Sequence, residues 1–253
     1  MVDRIVERIV KVKIINRRMI SGRYFRFMGI IPFCIINIEG YIRPGIIAPR
    51  CSSNRKLAED AYQKLEQLMG VRLDTAALGP KVRIYISDFV SVSHVWKGYD
   101  HPKDPKGIIF LNQRPYLGAL KGTNATYIHE MTHLFSWRFQ SHTLREGLAD
   151  YMALKILPGT GVGPSPEGYD WSTPIPSEVI EYLGTTTPPP QWVTIDPVKR
   201  RAYYFASYRL VKYLIDTKGL ETFKKLYKSD SPETEVRNLY GLTREEAIRA
   251  AGM

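Results

Sequence analysis

Tyr127-Ile128-His129-Glu130-Met131-Thr132-His133-Leu134-Phe135 is the stretch on which the reading of this 253-residue chain turns. Ile128, Met131, Leu134 and Phe135 recur at helical spacing and give a helix with an apolar face. His129 and His133 stand one turn apart, so their imidazoles project from the same side toward one point. Glu130 lies beside them. Two imidazoles so placed can ligate one metal ion, and the adjacent carboxylate can take a proton from water on that ion. Zinc suits the set, because it accepts imidazole and carboxylate tetrahedrally and leaves a position open. The chain holds only Cys34 and Cys51, so no zinc-ribbon spacing competes. The structural alternative for the same letters is a helix with two surface histidines and a glutamate.

Such an ion needs a third protein ligand. Leu144-Arg145-Glu146-Gly147-Leu148-Ala149-Asp150-Tyr151 offers Glu146. A local role competes for that carboxylate: Thr143 and Glu146 have the spacing of a capping box, with Thr143 as N-cap. His142 is a second rival ligand. It follows His133 by nine residues with no glycine between, so the extended HExxHxxGxxH pattern fails. Asp150 lies one turn after Glu146 and shares its face. It could orient His129 by accepting the other ring N–H, as carboxylates do for metal-bound imidazoles. Its structural alternative is an ordinary solvent-facing acid.

Outward from this centre, Ser53–Met69 reads as a helix closed by Gly70. Lys81–Ser87 alternates as a strand. Asp88–Lys106 is a polar loop with His94 and His101, and Gly107–Asn112 is a short second strand. Thr123 or Asn124 can cap the motif helix, which ends before Ser141-His142. A further helix runs from Thr143 through Leu157. Residues 158–198 hold nine of the seventeen prolines and form an insertion with one short helix at Glu178–Leu183. Helices at Lys199–Thr217, Leu220–Tyr227 and Thr243–Ala251 close the chain. Strands followed by helices give an α+β class, not a βαβ alternation.

Apolar residues make up 44% and charged residues 24% of the chain, ordinary for a globular protein, which excludes global disorder and coiled coil. The net charge of +11 is uneven. Residues 1–27 carry eight basic side chains against Asp3 and Glu7, an arm able to meet nucleic acid or an anionic surface. A solvated basic face is the plainer reading, and alternating Ile and Val over residues 9–15 look more like a strand than an RNA-binding tail, in a basic, strand-rich segment or appendage 1–50. The apolar run Met28–Ile38 is shorter than the roughly 20 residues that span a bilayer. It reads as a buried strand in a soluble protein, cytoplasmic more than secreted. A degenerate export signal or a membrane-touching segment stays open.

These residues resemble the gluzincins, the thermolysin-like and aminopeptidase N-like zinc peptidases of the peptidase MA-like group, whose HExxH is followed by a helix bearing Glu-x-x-x-Asp. The likeness is strongest over residues 123–151. It implies a zincin-type catalytic domain over 51–253, with a small mixed sheet, an HExxH active-site helix and a mostly helical C-terminal half. It implies one zinc ion on His129, His133 and Glu146, with Glu130 as general base and Asp150 behind His129. The spacing from Tyr204 to Gly219 and Phe223 looks like the aminopeptidase helix whose tyrosine stabilises the oxyanion, which assigns Tyr204 that role. The alternative for Tyr204 is a core or boundary aromatic. The aminopeptidases' glycine-rich strand with its amine-binding glutamate is missing. The implied activity is therefore endopeptidase action on a protein or peptide substrate, which could pair with Gly107–Asn112 as an added strand. A different class of reading keeps the zinc fold as a binding module, acting through the basic arm on nucleic acid or a membrane surface. A third is a zymogen in which Cys34 or Cys51 blocks the cleft.

Overall fold

The motif helix is buried over its whole length in a computed structural model that describes residues 35–39, 52–74, 78, 81–87, 92–96, 107–137, 139–162, 174–184, 190, 192–227, 229 and 231–253. In chain order the strand β1 (Ile35–Glu39) and the helix α1 (Ser52–Met69) precede β2 (Lys81–Ser87), β3 (His94–Trp96) and β4 (Ile108–Asn112). The helices α2 (Gln113–Leu120), α3 (Thr126–Phe135), α4 (His142–Ile156), α5 (Ser177–Tyr182) and α6 (Trp192–Ile195) follow. Then come α7 (Pro197–Tyr227), α8 (Pro232–Tyr240) and α9 (Arg244–Ala250). The class is α+β and mostly helical. The basic arm, Cys34, Cys51 and His101 lie outside the described residues, and with them the readings placed there. The compact unit that holds the described residues begins at Phe33. The strand β1, inside the basic segment 1–50 expected to be strand-rich, belongs to the central sheet.

That sheet has the order β1-β2-β4-β3. β1 runs antiparallel to β2, with Ile36 opposite Ile84. β2 runs parallel to β4, with Ile84 opposite Ile109, and β3 runs antiparallel to β4, with Val95 opposite Ile109. The period-2 pattern of β2 buries Val82, Ile84 and Ile86 on one face, while Ile108–Leu111 of β4 are buried on both. β3 corrects the expectation of a polar loop across 88–106. Three residues are too few for alternation to show. It also covers one edge of β4 over Ile108–Phe110, and β2 covers the other over Ile108–Asn112, so the strand expected to receive an added peptide is paired on both sides over most of its length. Among the described residues, the free edge on this side of the sheet is that of β3.

The helices bury their apolar stripes against this sheet and each other. α1 turns Ala58, Ala61, Leu65 and Met69 inward and packs on α3. Three helices escaped the sequence reading: α2, the short α6 and α8. α2 is capped by the Asn112 side chain, which accepts from Arg114 N at 2.9 Å. Its Pro115 sits in the first turn, where no helical N–H is required, but there a proline and Gly118 disguise a helix. α8 opens with Pro232 and ends at Gly241 in the left-handed region. The long α7 breaks at Gly219 (φ 78°, ψ 162°), between the two helices expected at 199–217 and 220–227. The proline-rich stretch 158–198 contributes α5 and α6, and Gly161 forms a bridge to Asn124 beside the motif helix. Among the described residues, no helix is long and apolar enough to cross a membrane.

The closest helix contact is between α4 and α7. A Cβ added to Gly147 would stand 2.2 Å from the Ser207 carbonyl oxygen and 2.6 Å from Val211 Cγ2. The first of these is backbone and cannot swing aside. Gly147→Ala should therefore push the two helices apart. The expected loss is about 3 kcal/mol, the upper end for overpacking, or very roughly 10 °C in Tm for a chain of this size. A thermal melt with an unchanged midpoint would contradict this packing.

Candidate metal centre

α3 is a buried helix that satisfies its own polar groups locally. Asn124 Oδ1 accepts from Thr126 N at 2.9 Å at its start, whereas Thr123 gives its hydroxyl to Gly118 O. Thr132 Oγ1 donates to Ile128 O at 2.8 Å and Ser136 Oγ to Thr132 O at 3.0 Å. The Tyr227 hydroxyl closes the far end by donating to Phe135 O at 2.5 Å. His129, Glu130 and His133 remain, each buried, with donor atoms within 4.8 Å of one another. Burying three ionisable side chains in an apolar helix is costly unless something pairs with them.

α4 supplies the pairing. Its N-cap is Ser141, whose side chain accepts from Leu144 N at 3.3 Å. The capping box that competed for Glu146 is thereby excluded. Thr143 lies inside the helix, where its hydroxyl accepts from Gly184 N at 3.0 Å and meets the Tyr203 hydroxyl at 3.2 Å. Glu146, freed from the cap, turns toward α3. Its Oε2 stands 3.4 Å from His129 Nε2 and 3.2 Å from His133 Nε2, and the two nitrogens are 3.1 Å apart. Bonds of about 2.0–2.1 Å at tetrahedral angles separate a zinc ion's ligands by about 3.3 Å. The triangle has that size. Of the two donor sets available, His129–His133–Glu146 is tighter than His129–Glu130–His133 and leaves Glu130 beside it.

Asp150, one turn beyond Glu146, lies 2.5 Å from His129 Nδ1. An ionised carboxylate only accepts, so Nδ1 carries a proton, and the raised pKa of the ring puts a second proton on Nε2, facing Glu146 Oε2. Two imidazole nitrogens and a carboxylate oxygen thus converge on one point, held together by a proton that a metal cation could displace. His133 Nδ1 has no hydrogen-bond partner among the described residues. The electrostatics follow the geometry. Burial lowers the His129 pKa, but Asp150, Glu146 and Glu130 outweigh it and hold the ring well above its usual range. Burial likewise opposes ionisation of Glu146, and the histidines overcome it and hold the carboxyl well below 4.5. His133 is pushed down to about 4 by burial, against the pull of Glu146. Glu130 is pushed up to about 8 by burial, with Glu146 and Asp150 adding and His129 opposing.

α7 closes the site from a third side. The Tyr204 ring centroid lies 6.2 Å from that of His129, so the tyrosine singled out from sequence does face the centre. Burial, and then Glu146, Glu130 and Asp150, hold its phenol well above 10. His142 is no member of the triangle. Its Nδ1 is 2.7 Å from the Tyr203 hydroxyl, and its Nε2 is 3.5 Å from the outer oxygen of Glu146. The sequence reading missed Tyr203, fully buried beside Tyr204. Its signal was present, since adjacent tyrosines on a helix point about 100° apart and so serve different partners. The chain matches no protein-family model, no curated protein and no solved structure.

Glu130 generates a test that needs no activity. Its carboxyl titrates near 8 when folded, against an ordinary glutamate value of 4.5. The folded protein keeps a proton that the unfolded chain releases, so this group's contribution to stability falls as pH rises through that window. With a chelator present, Glu130→Gln should therefore gain stability relative to the parent as pH rises from 4.5 toward 8. Urea titrations at the two ends measure it, and a difference independent of pH would contradict the burial of this carboxylate.

Proposed function

We propose that this chain is a zinc-dependent hydrolase of peptide bonds, an endopeptidase built on the zincin plan with a gluzincin ligand set. The observation that carries the reading is the 3.1–3.4 Å triangle of His129 Nε2, His133 Nε2 and Glu146 Oε2, with Glu130 adjacent and Asp150 behind His129. Bound there, zinc would supply a Lewis acid that polarises a substrate carbonyl and lowers the pKa of a water to about 7.

The chain's own residues do the rest. Glu130 takes the proton of the attacking water and hands it to the leaving nitrogen. Asp150 fixes the tautomer and tilt of His129. The Tyr204 phenol stays protonated across the neutral range and donates a hydrogen bond to the oxygen on which charge develops. β3 packs beside α3, and its free edge can take an extended peptide as an added strand. Neither His94-Val95-Trp96 nor Gly107–Asn112 carries an acidic residue to hold a free amine, which favours an internal bond over a terminal one.

Two substitutions test this on an unstructured protein substrate. Glu130→Gln should retain the metal and lose roughly 100-fold or more in kcat. Tyr204→Phe should lose on the order of 100-fold in kcat with little change in KM, the signature of a group used in the transition state. A Glu130→Gln protein that cleaved at the parental rate would sink the mechanism, and a Tyr204→Phe protein that did so would return Tyr204 to the core.

A further inference from the structure

We propose that His142 is a positioning residue for the metal centre: held by Tyr203, it fixes the outer oxygen of Glu146, so that Oε2 alone faces the ion. The inference rests on the metal reading given under Proposed function and deepens it.

His142 Nε2 lies 3.5 Å from Glu146 Oε1. Since an ionised carboxylate accepts only, Nε2 carries the ring proton. In the neutral imidazole Nδ1 is then the acceptor, and its partner at 2.7 Å, the Tyr203 hydroxyl, donates to it. Tyr203 oxygen is left to accept from Thr143 Oγ1 at 3.2 Å, and Thr143 oxygen accepts from Gly184 N at 3.0 Å. So assigned, the run has one direction, with the Ser207 hydroxyl as a further neighbour of the Tyr203 oxygen. It leads from the turn after α5, through α4 and α7, to the third ligand. The rings are held as well as the protons. His142 stacks on Tyr203 with centroids 5.6 Å apart at 25°, and Tyr203 is fully buried. The other cation near Oε1, Arg145 Nε, is further away at 4.0 Å.

The consequence concerns coordination number. A glutamate free to rotate can offer both oxygens to an ion, which fills the position a substrate or water requires. Tied at Oε1, Glu146 offers one. Ligating carboxylates are commonly held in this way, and loss of such a partner weakens metal affinity about 10–100-fold. His142 reaches Glu146 because the two are one turn apart on α4, so a residue that failed as a ligand by its spacing from His133 succeeds as a support by its spacing from Glu146.

The test uses the full-length protein and needs no substrate. Zinc dissociation constants are measured by competition with a chromophoric chelator, and the visible spectrum of the cobalt(II) form reports coordination number. His142→Ala should bind zinc about 10–100-fold more weakly, with weaker cobalt absorption as the ion gains a fifth ligand. His142→Gln, which places an N–H near the Nε2 position, should restore both toward the parent. Circular dichroism confirms that each variant is folded. Equal zinc binding by the parent and His133→Ala would overturn the metal reading and this proposal together. If His133→Ala loses zinc but His142→Ala matches the parent in affinity and spectrum, the proposal alone falls. It also falls if the alanine and glutamine variants weaken alike, because the imidazole would then serve packing only, or if affinity drops with no change in the cobalt spectrum.

Discussion

Two imidazole nitrogens and one carboxylate oxygen are brought within 3.4 Å of one another inside a buried layer of the protein. Their lone pairs repel unless a cation or a shared proton lies between them, and burial removes the water that would otherwise screen them. Much of the architecture serves this constraint. α3 must be enclosed on all sides, so its hydroxyls bond back into the helix and its ends are closed by Asn124 and Tyr227. α4 must come near enough for a short carboxylate to reach across. α7 must lie against α4, which Gly147 permits by leaving room for the Ser207 carbonyl.

The outer layer of the site explains why the inner one holds its shape. Asp150 and His142 stand one turn after and one turn before Glu146 on the same helix, and they act on different partners. Asp150 holds His129 directly. In the proposed arrangement His142 holds the far oxygen of Glu146 and is itself held by Tyr203. In that proposal α4 carries a ligand with a support on either side, while α7 carries two adjacent tyrosines with different partners, Tyr204 beside His129 and Tyr203 stacked on His142. The small residues at the α4–α7 crossing make this possible, because a wider separation would take both tyrosines out of reach.

The sheet sets the approach to the centre. β4 is paired on both sides, so it acts as the buried floor beneath α3, and the exposed edge passes to the three-residue β3. A short edge strand limits self-association through unpaired backbone while leaving a place for a peptide beside the proposed ion.

The sequence by itself determined what depends on local periodicity. The one-turn spacing of His129 and His133, and that of Glu146 and Asp150, fixed which side chains share a face, because helical geometry fixes it wherever the helix lies. The break at Gly219 was equally local, since a positive φ suits glycine. Tertiary structure alone decided what depends on distant partners. Glu146 could have closed a capping box with Thr143; it faces the histidines because Ser141 caps the helix and Tyr203, 60 residues away, engages Thr143. His94-Val95-Trp96 became a strand because β4 offered an edge, which three residues cannot announce. The place of His142 emerged only when α4 met α7, because a contact between residues 61 apart leaves no periodic trace in either segment.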